Sequence, residues 1–143
     1  MATITKTILD VGDKTQHVCK YDEVALEYTG WVKDEKQPDG KGAQFDTSIG
    51  RGDSVIVIGS THALPGQSLI SNARSGWDIG VLGEYTPANS SEKVGPMALN
   101  ERARFEFPPL YGFGRKGLPG LVPENATLIY EMKLKKIGPQ KAP

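Results

Sequence analysis

From Ala126 to Lys136 the chain reads ATLIYEMKLKK, and its side chains sort by parity: Leu128, Tyr130, Met132 and Leu134 against Glu131, Lys133 and Lys135. Successive side chains of a strand point to opposite faces, so a period of two predicts a strand with one buried and one wet side. The pattern recurs. In VALEYTGWV, 24 to 32, Val24, Leu26 and Tyr28 oppose Ala25, Glu27 and Thr29; in LNERARFEF, 99 to 107, Ala103, Phe105 and Phe107 oppose Arg102, Arg104 and Glu106. VIVI at 55 to 58 adds a run of β-branched residues suited to a strand. Such alternation belongs to antiparallel sheets, since parallel sheets are covered on both faces and read as continuous apolar runs. Only ARSGWDIGVL, 73 to 82, is compatible with a helix, and it is short and carries two glycines. The expected class is α+β, an antiparallel sheet curled over one short helix.

At 143 residues the chain is long enough for one core, and the expectation is a single domain over 1 to 143 with a flexible tail from about 138. The connections KDEKQPDGKG, GSTHALPGQS, EYTPANSSEK and the proline-rich 108 to 125 are longer than a compact domain needs, which marks surface insertions or functional loops. Lys plus Arg equals Asp plus Glu at 17 each, with no block of one sign, so neither nucleic acid nor a membrane surface is an expected partner. The first residues, MATITKTILDVGDK, lack the charged start and apolar core of a secretory signal, and no apolar run approaches a membrane span. A cytoplasmic monomer is expected. The single cysteine, Cys19, excludes an internal disulfide and a cysteine-based metal cluster, and no cofactor or metal is expected.

Several short motifs carry less than their letters suggest. Gly112 to Gly117 spells GxGxxG, but that pattern needs a helix opening on its last glycine, and Pro119, Gly120 and Pro123 follow at once. A nucleotide loop is excluded. His17 and Cys19 lie two apart without a third group to orient an imidazole, and read as structural. Arg51-Gly52-Asp53 and the sequons at Asn89 and Asn125 acquire meaning only outside the cell.

In order along the chain, YTG (28 to 30), Phe45-Asp46, Gly76-Trp77, RARFEF (102 to 107), YGFG (111 to 114) and GLPGLVPENATLIYEMKL (117 to 134) resemble the landmarks of the FKBP family, the tacrolimus- and rapamycin-binding peptidyl-prolyl isomerases. The resemblance covers about residues 3 to 137 and is most specific from Tyr111 to Leu134. It implies a half β-barrel of five or six antiparallel strands wrapped around a short helix. It further implies an enzyme that rotates Xaa-Pro bonds of peptides and proteins, binds macrolides between helix and sheet, and uses no cofactor. By matching position, Trp77 is similar to the pocket floor, Tyr28, Phe45 and Tyr130 to its aromatic walls, and Asp46 to a buried carboxylate paired with Arg51. Leu121 and Val122 match an apolar pair overhanging the pocket, Leu118 a loop position bordering the ligand, and Arg74 a position whose backbone N–H contacts it. Taken by themselves, the four aromatic residues read as plain core, and it is the ordered landmarks that reverse this.

The sequence departs from the family's pattern at Phe113, where a tyrosine is usual, and at Tyr130, where a phenylalanine is usual. It also carries extra residues near 60 to 75 and 83 to 97. These departures leave an alternative, a catalytically weakened module of the same fold that binds a partner protein through its rim loops. The chemistry of the first reading needs no nucleophile. Rotating an Xaa-Pro bond costs about 18–20 kcal/mol because the twisted amide loses conjugation, and a site that binds the twisted form best lowers that barrier.

Overall fold

The structure is a computed structural model that describes residues 4–50, 52–58, 62–63, 74–83, 85–91, 93–111, 115–117 and 119–138, with the backbone alone at 62–63, 74–76, 78 and 110. The strands are β1 (Thr5–Asp10), β2 (Asp13–His17), β3 (Glu23–Lys33), β4 (Lys41–Thr47), β5 (Ser54–Val57), β6 (His62–Ala63), β7 (Ala98–Leu99), β8 (Arg102–Phe107) and β9 (Leu128–Ile137). One helix, α1 (Arg74–Leu82), lies between β6 and β7, and a 3-10 turn covers Pro109–Tyr111. The tail expected from about 138 falls almost wholly outside the described residues, as does most of the insertion near 60 to 75.

The main sheet runs β1-β8-β9-β3-β5-β6, with β4 also paired to β3 and every pairing antiparallel. β4 and β5 lie end to end along one side of β3: Glu23 to Leu26 pair with β5, and Thr29 to Lys33 with β4. The sheet is therefore six strands wide, as expected for a half barrel. β2 and β7 form a separate pair at one end.

Parity holds through most of the sheet. Val24, Leu26 and Tyr28 of β3, Ala103, Phe105 and Phe107 of β8, and Leu128, Tyr130, Met132 and Leu134 of β9 make the inner face and join α1's Trp77 and Val81 in one core. Outward side chains form ion pairs that each span an intervening strand: Glu27 to Arg102 at 3.1 Å and Lys33 to Glu106 at 2.9 Å across β9, and Lys41 to Glu131 across β3. Half-exposed pairs of this kind contribute at most about 1 kcal/mol each. The alternation breaks at the end of β9. A bulge between the pairs Leu26↔Leu134 and Ala25↔Lys136 makes Lys135 the extra residue, and Ile137 turns back into the core.

The strand expected over 99 to 107 divides, because Asn100 takes a left-handed conformation (φ 67°) and separates β7 from β8. The second insertion folds over the edge of β1. Ala88 N–H donates to the Ile4 carbonyl at 2.8 Å, and Asn89 acts as a short surrogate strand. It donates Nδ2–H to the Lys6 carbonyl at 2.9 Å and accepts the Lys6 N–H at 3.3 Å. An open edge would otherwise expose those groups to pairing with another chain.

Candidate active site

Four elements bring the expected aromatic residues together. Tyr28 faces inward from β3, and two residues on Gly30 occupies the same face. A Cβ at Gly30 would stand 2.8 Å from Phe45 Cζ and 2.8 Å from Tyr130 Cε1, so the missing side chain is the room those rings occupy. On β4, adjacent residues of a regular strand would face opposite ways, yet Phe45 and Asp46 are both buried. A bulge between the pairs Gly30↔Asp46 and Trp31↔Gln44 makes Phe45 the extra residue and turns both inward.

The helix supplies Trp77. Its close seat on the sheet comes from Gly80, where a Cβ would meet Phe105 Cε1 at 3.2 Å and Phe107 Cζ at 3.3 Å. Tyr130, from β9, stands at the centre. Its ring is edge-on to Trp77 (5.4 Å between centroids, 86°) and to Phe45 (5.7 Å, 83°), and tilted against Tyr28 (6.2 Å) and Phe107 (5.7 Å). Tyr28 and Trp77 meet at 4.8 Å and 71°. Such edge arrangements set the positive rim of one ring on the negative face of the next, contributing about 0.5–1.5 kcal/mol per pair beyond burial.

Polar groups inside this cluster are few. The Tyr28 hydroxyl donates to Asp46 Oδ2 at 2.8 Å, and the Thr47 N–H donates to Asp46 Oδ1 at 2.9 Å. Ser48 fastens Tyr28 in place: its Oγ accepts the Tyr28 N–H at 2.9 Å and its N–H donates to the Tyr28 carbonyl at 2.9 Å. The Tyr130 hydroxyl is held well above the ordinary phenol range, chiefly by burial and then by the Asp46 charge; the Trp77 indole opposes weakly, and Tyr28 adds a small upward push. The Trp77 Nε1–H is fully buried and makes no hydrogen bond. It lies close enough to the Tyr130 hydroxyl to favour the phenolate slightly, but not in hydrogen-bonding geometry.

Around the cluster, Val122 is buried and Leu121 is 47% exposed, so only the first of this loop pair packs inward. Arg74 is the first residue of α1. Arg51, Phe113 and Leu118 lie outside the described residues. Reading the chain missed two contributors, Gly30 and Phe107. A glycine inside an apolar strand is the signal that announces the first, and the inward parity of β8 the second. A groove of about 400 Å³ lies elsewhere, on the outer face beside Trp31, Lys41, Thr47 and Arg102, and shares only Tyr28 with the ring cluster. It lacks the clustered rings of the inner cluster, which could hold an apolar ring and exclude water. That cluster offers no activated nucleophile, which suits a reaction in which no covalent bond breaks.

A family model for the FKBP-type peptidyl-prolyl cis-trans isomerases matches residues 14–135. The chain is 40% identical over 116 residues to "FK506-binding protein 1" of Gibberella zeae, covering 81% of this chain and 82% of that protein. It is 29% identical over 140 residues to a "Peptidyl-prolyl cis-trans isomerase" of Schizosaccharomyces pombe, covering 97% and 98%. Among solved structures, that of AtFKBP13 superposes with a TM-score of 0.66 at 20% identity, covering 94% of this chain and 93% of that one. At that identity the superposition speaks for the fold.

Proposed function

The chain belongs to the FKBP-type peptidyl-prolyl cis-trans isomerase family, and we propose that its isomerase site is the cluster walled by Tyr28, Phe45, Trp77 and Tyr130. The carrying observation is the convergence of four rings from β3, β4, α1 and β9 on one point, at centroid distances of 4.8 to 6.2 Å, with a hydrogen-bonded carboxylate beside them. Trp77 forms the floor and the other three rings the walls. Asp46 fixes the Tyr28 hydroxyl and, in this reading, pairs with Arg51. Phe113, Leu118, Leu121 and Val122 border the ligand, and Arg74 lies at its edge.

The mechanism follows from polarity. A planar prolyl amide has the larger dipole and the stronger hydration, and so loses more hydration on entering a dry aromatic site. The twisted amide loses less, so the site favours it over either planar isomer. Aromatic faces grip the proline ring while the bond turns. Substrates are proline-containing peptides and proteins, with an apolar residue before proline preferred by the apolar walls. Relatives named FK506-binding proteins support binding of tacrolimus, and by the same chemistry rapamycin, in competition with peptide. The reading includes a single domain acting as a cytoplasmic monomer.

The test is a cis-to-trans conversion assay on an Xaa-Leu-Pro or Xaa-Phe-Pro tetrapeptide, with and without tacrolimus. Uncatalysed exchange takes roughly tens of seconds or longer, so catalysis is read directly as a shortened lifetime that the macrolide restores. Rates equal to those in buffer, from protein folded by circular dichroism, would falsify the assignment.

A further inference from the structure

The donors in the ring cluster are unequally occupied. Tyr28 has spent its hydroxyl on Asp46. The Trp77 Nε1–H is buried without a hydrogen-bond acceptor. No described residue accepts the Tyr130 hydroxyl proton in a hydrogen bond, although its ring stands between Trp77 and Phe45 at 5.4 and 5.7 Å. Burial of a polar group is ordinarily compensated by a partner, and a buried donor without one is a place where a ligand acceptor is gained without displacing an internal bond. A phenylalanine would fill the same space and make the same ring contacts, so packing alone gives no reason for the hydroxyl.

The geometry points to Tyr130 as a specificity-determining donor: its hydroxyl takes a carbonyl oxygen of the bound prolyl peptide or macrolide, its ring held edge-on by Trp77 and Phe45. This rests on the ring cluster being the isomerase site. A phenol is protonated at neutral pH, and burial with the Asp46 charge extends that state into alkali, so the group acts as a donor and not as an anion.

The experiment compares wild type with Tyr130→Phe, using tacrolimus carrying a carbon-13 label at the amide carbonyl in one preparation and at the neighbouring ketone in another. Dissociation constants, infrared carbonyl frequencies, melting temperatures and kcat and KM on a Leu-Pro tetrapeptide are measured for both proteins. The expected result is a roughly five-fold weaker macrolide affinity in the variant, the loss expected for one neutral hydrogen bond. One labelled carbonyl should absorb at higher frequency in the variant, with KM raised more than kcat is lowered. The melting temperature should stay level or rise. A purely structural hydroxyl would instead lower melting temperature and affinity together and leave both carbonyl frequencies unmoved; that result overturns the inference. So does unchanged affinity in an active variant. If the wild type neither isomerises the peptide nor binds the macrolide, the site assignment itself fails, which is a separate result.

Discussion

Gly30 and Tyr130 stand opposite each other across the β3–β9 pair, and the absent side chain of the first is the space filled by the ring of the second. A methyl group on Gly30 would sit 2.8 Å from both Tyr130 Cε1 and Phe45 Cζ, closer than carbon atoms approach without displacement. Both rings are held by further rings, so neither retreats freely. Gly30→Ala should lose about 1–3 kcal/mol, the usual cost of overpacking a filled core. Peptide isomerisation, assayed where both proteins are folded, should fall as well. Urea unfolding midpoints and assay rates measured together check this; a neutral substitution would mean the rings are looser than their contacts indicate.

The two tryptophans should report differently on ligand. Trp77 is buried in the ring cluster, whereas Trp31 lies on the outer face under Lys41 Nζ, 4.3 Å from its ring centroid. Tacrolimus added to Trp31→Phe should still change the fluorescence, and added to Trp77→Leu it should change little. A signal that disappears with Trp31 would place the ligand on the wrong face of the sheet for the site proposed above.

Alkali should unfold the protein through two phenols. Burial, helped by the charge of Asp46, raises the Tyr130 hydroxyl; burial, helped by Glu101, raises that of Tyr85. Both stay protonated in the folded chain at pH values where an unfolded tyrosine, with a pKa of about 10, has ionised. These phenols therefore leave stability unchanged with pH below about pH 10 and lower it progressively above, as the unfolded state releases protons that the folded state retains. Melting temperatures between neutral and strongly alkaline pH should fall less steeply in Tyr130→Phe and in Tyr85→Phe than in wild type. Equal slopes would show that neither hydroxyl is as shielded as its surroundings imply.

A buried ion pair should behave as a unit. Lys6 Nζ lies 3.0 Å from Glu101 Oε2 with both side chains nearly inaccessible, and it also stands 5.6 Å from the Phe105 ring centroid. The approach is an ionic contact and not a well-formed hydrogen bond, since Oε2 lacks an aligned donor, while Oε1 accepts the Ala98 N–H at 3.0 Å. Lys6→Met strands a buried carboxylate and should cost about 3–5 kcal/mol. Adding Glu101→Gln keeps an acceptor for Ala98 and removes the charge, so the double variant should be more stable than Lys6→Met alone. Chemical denaturation of the four proteins in the cycle measures the coupling; additive losses would argue against a shared interaction.

Parity in the sequence was enough to place β3, β8 and β9 and to say which of their side chains face inward, because a strand's period of two is local and survives any tertiary arrangement. The short helix was legible only as the one stretch compatible with a helix, 73 to 82 in the sequence against 74 to 82 in the fold. The ordered landmarks from Tyr28 to Leu134 carried the family, and with it the expectation that Trp77, Tyr28, Phe45, Asp46 and Tyr130 line one site, which is the site proposed above. What no local pattern contains is register. That Phe45 and Asp46 both turn inward depends on a bulge defined only by pairing with Gly30 and Trp31, and that Ile137 is buried depends on a second bulge opposite Ala25 and Leu26. Lys6 and Glu101 read as ordinary surface charges until β1 and β8 pair and the segment through Asn89 closes over them. Each of these is a contact between residues distant in the chain, and only the folded sheet decides which partners meet and whether water remains between them.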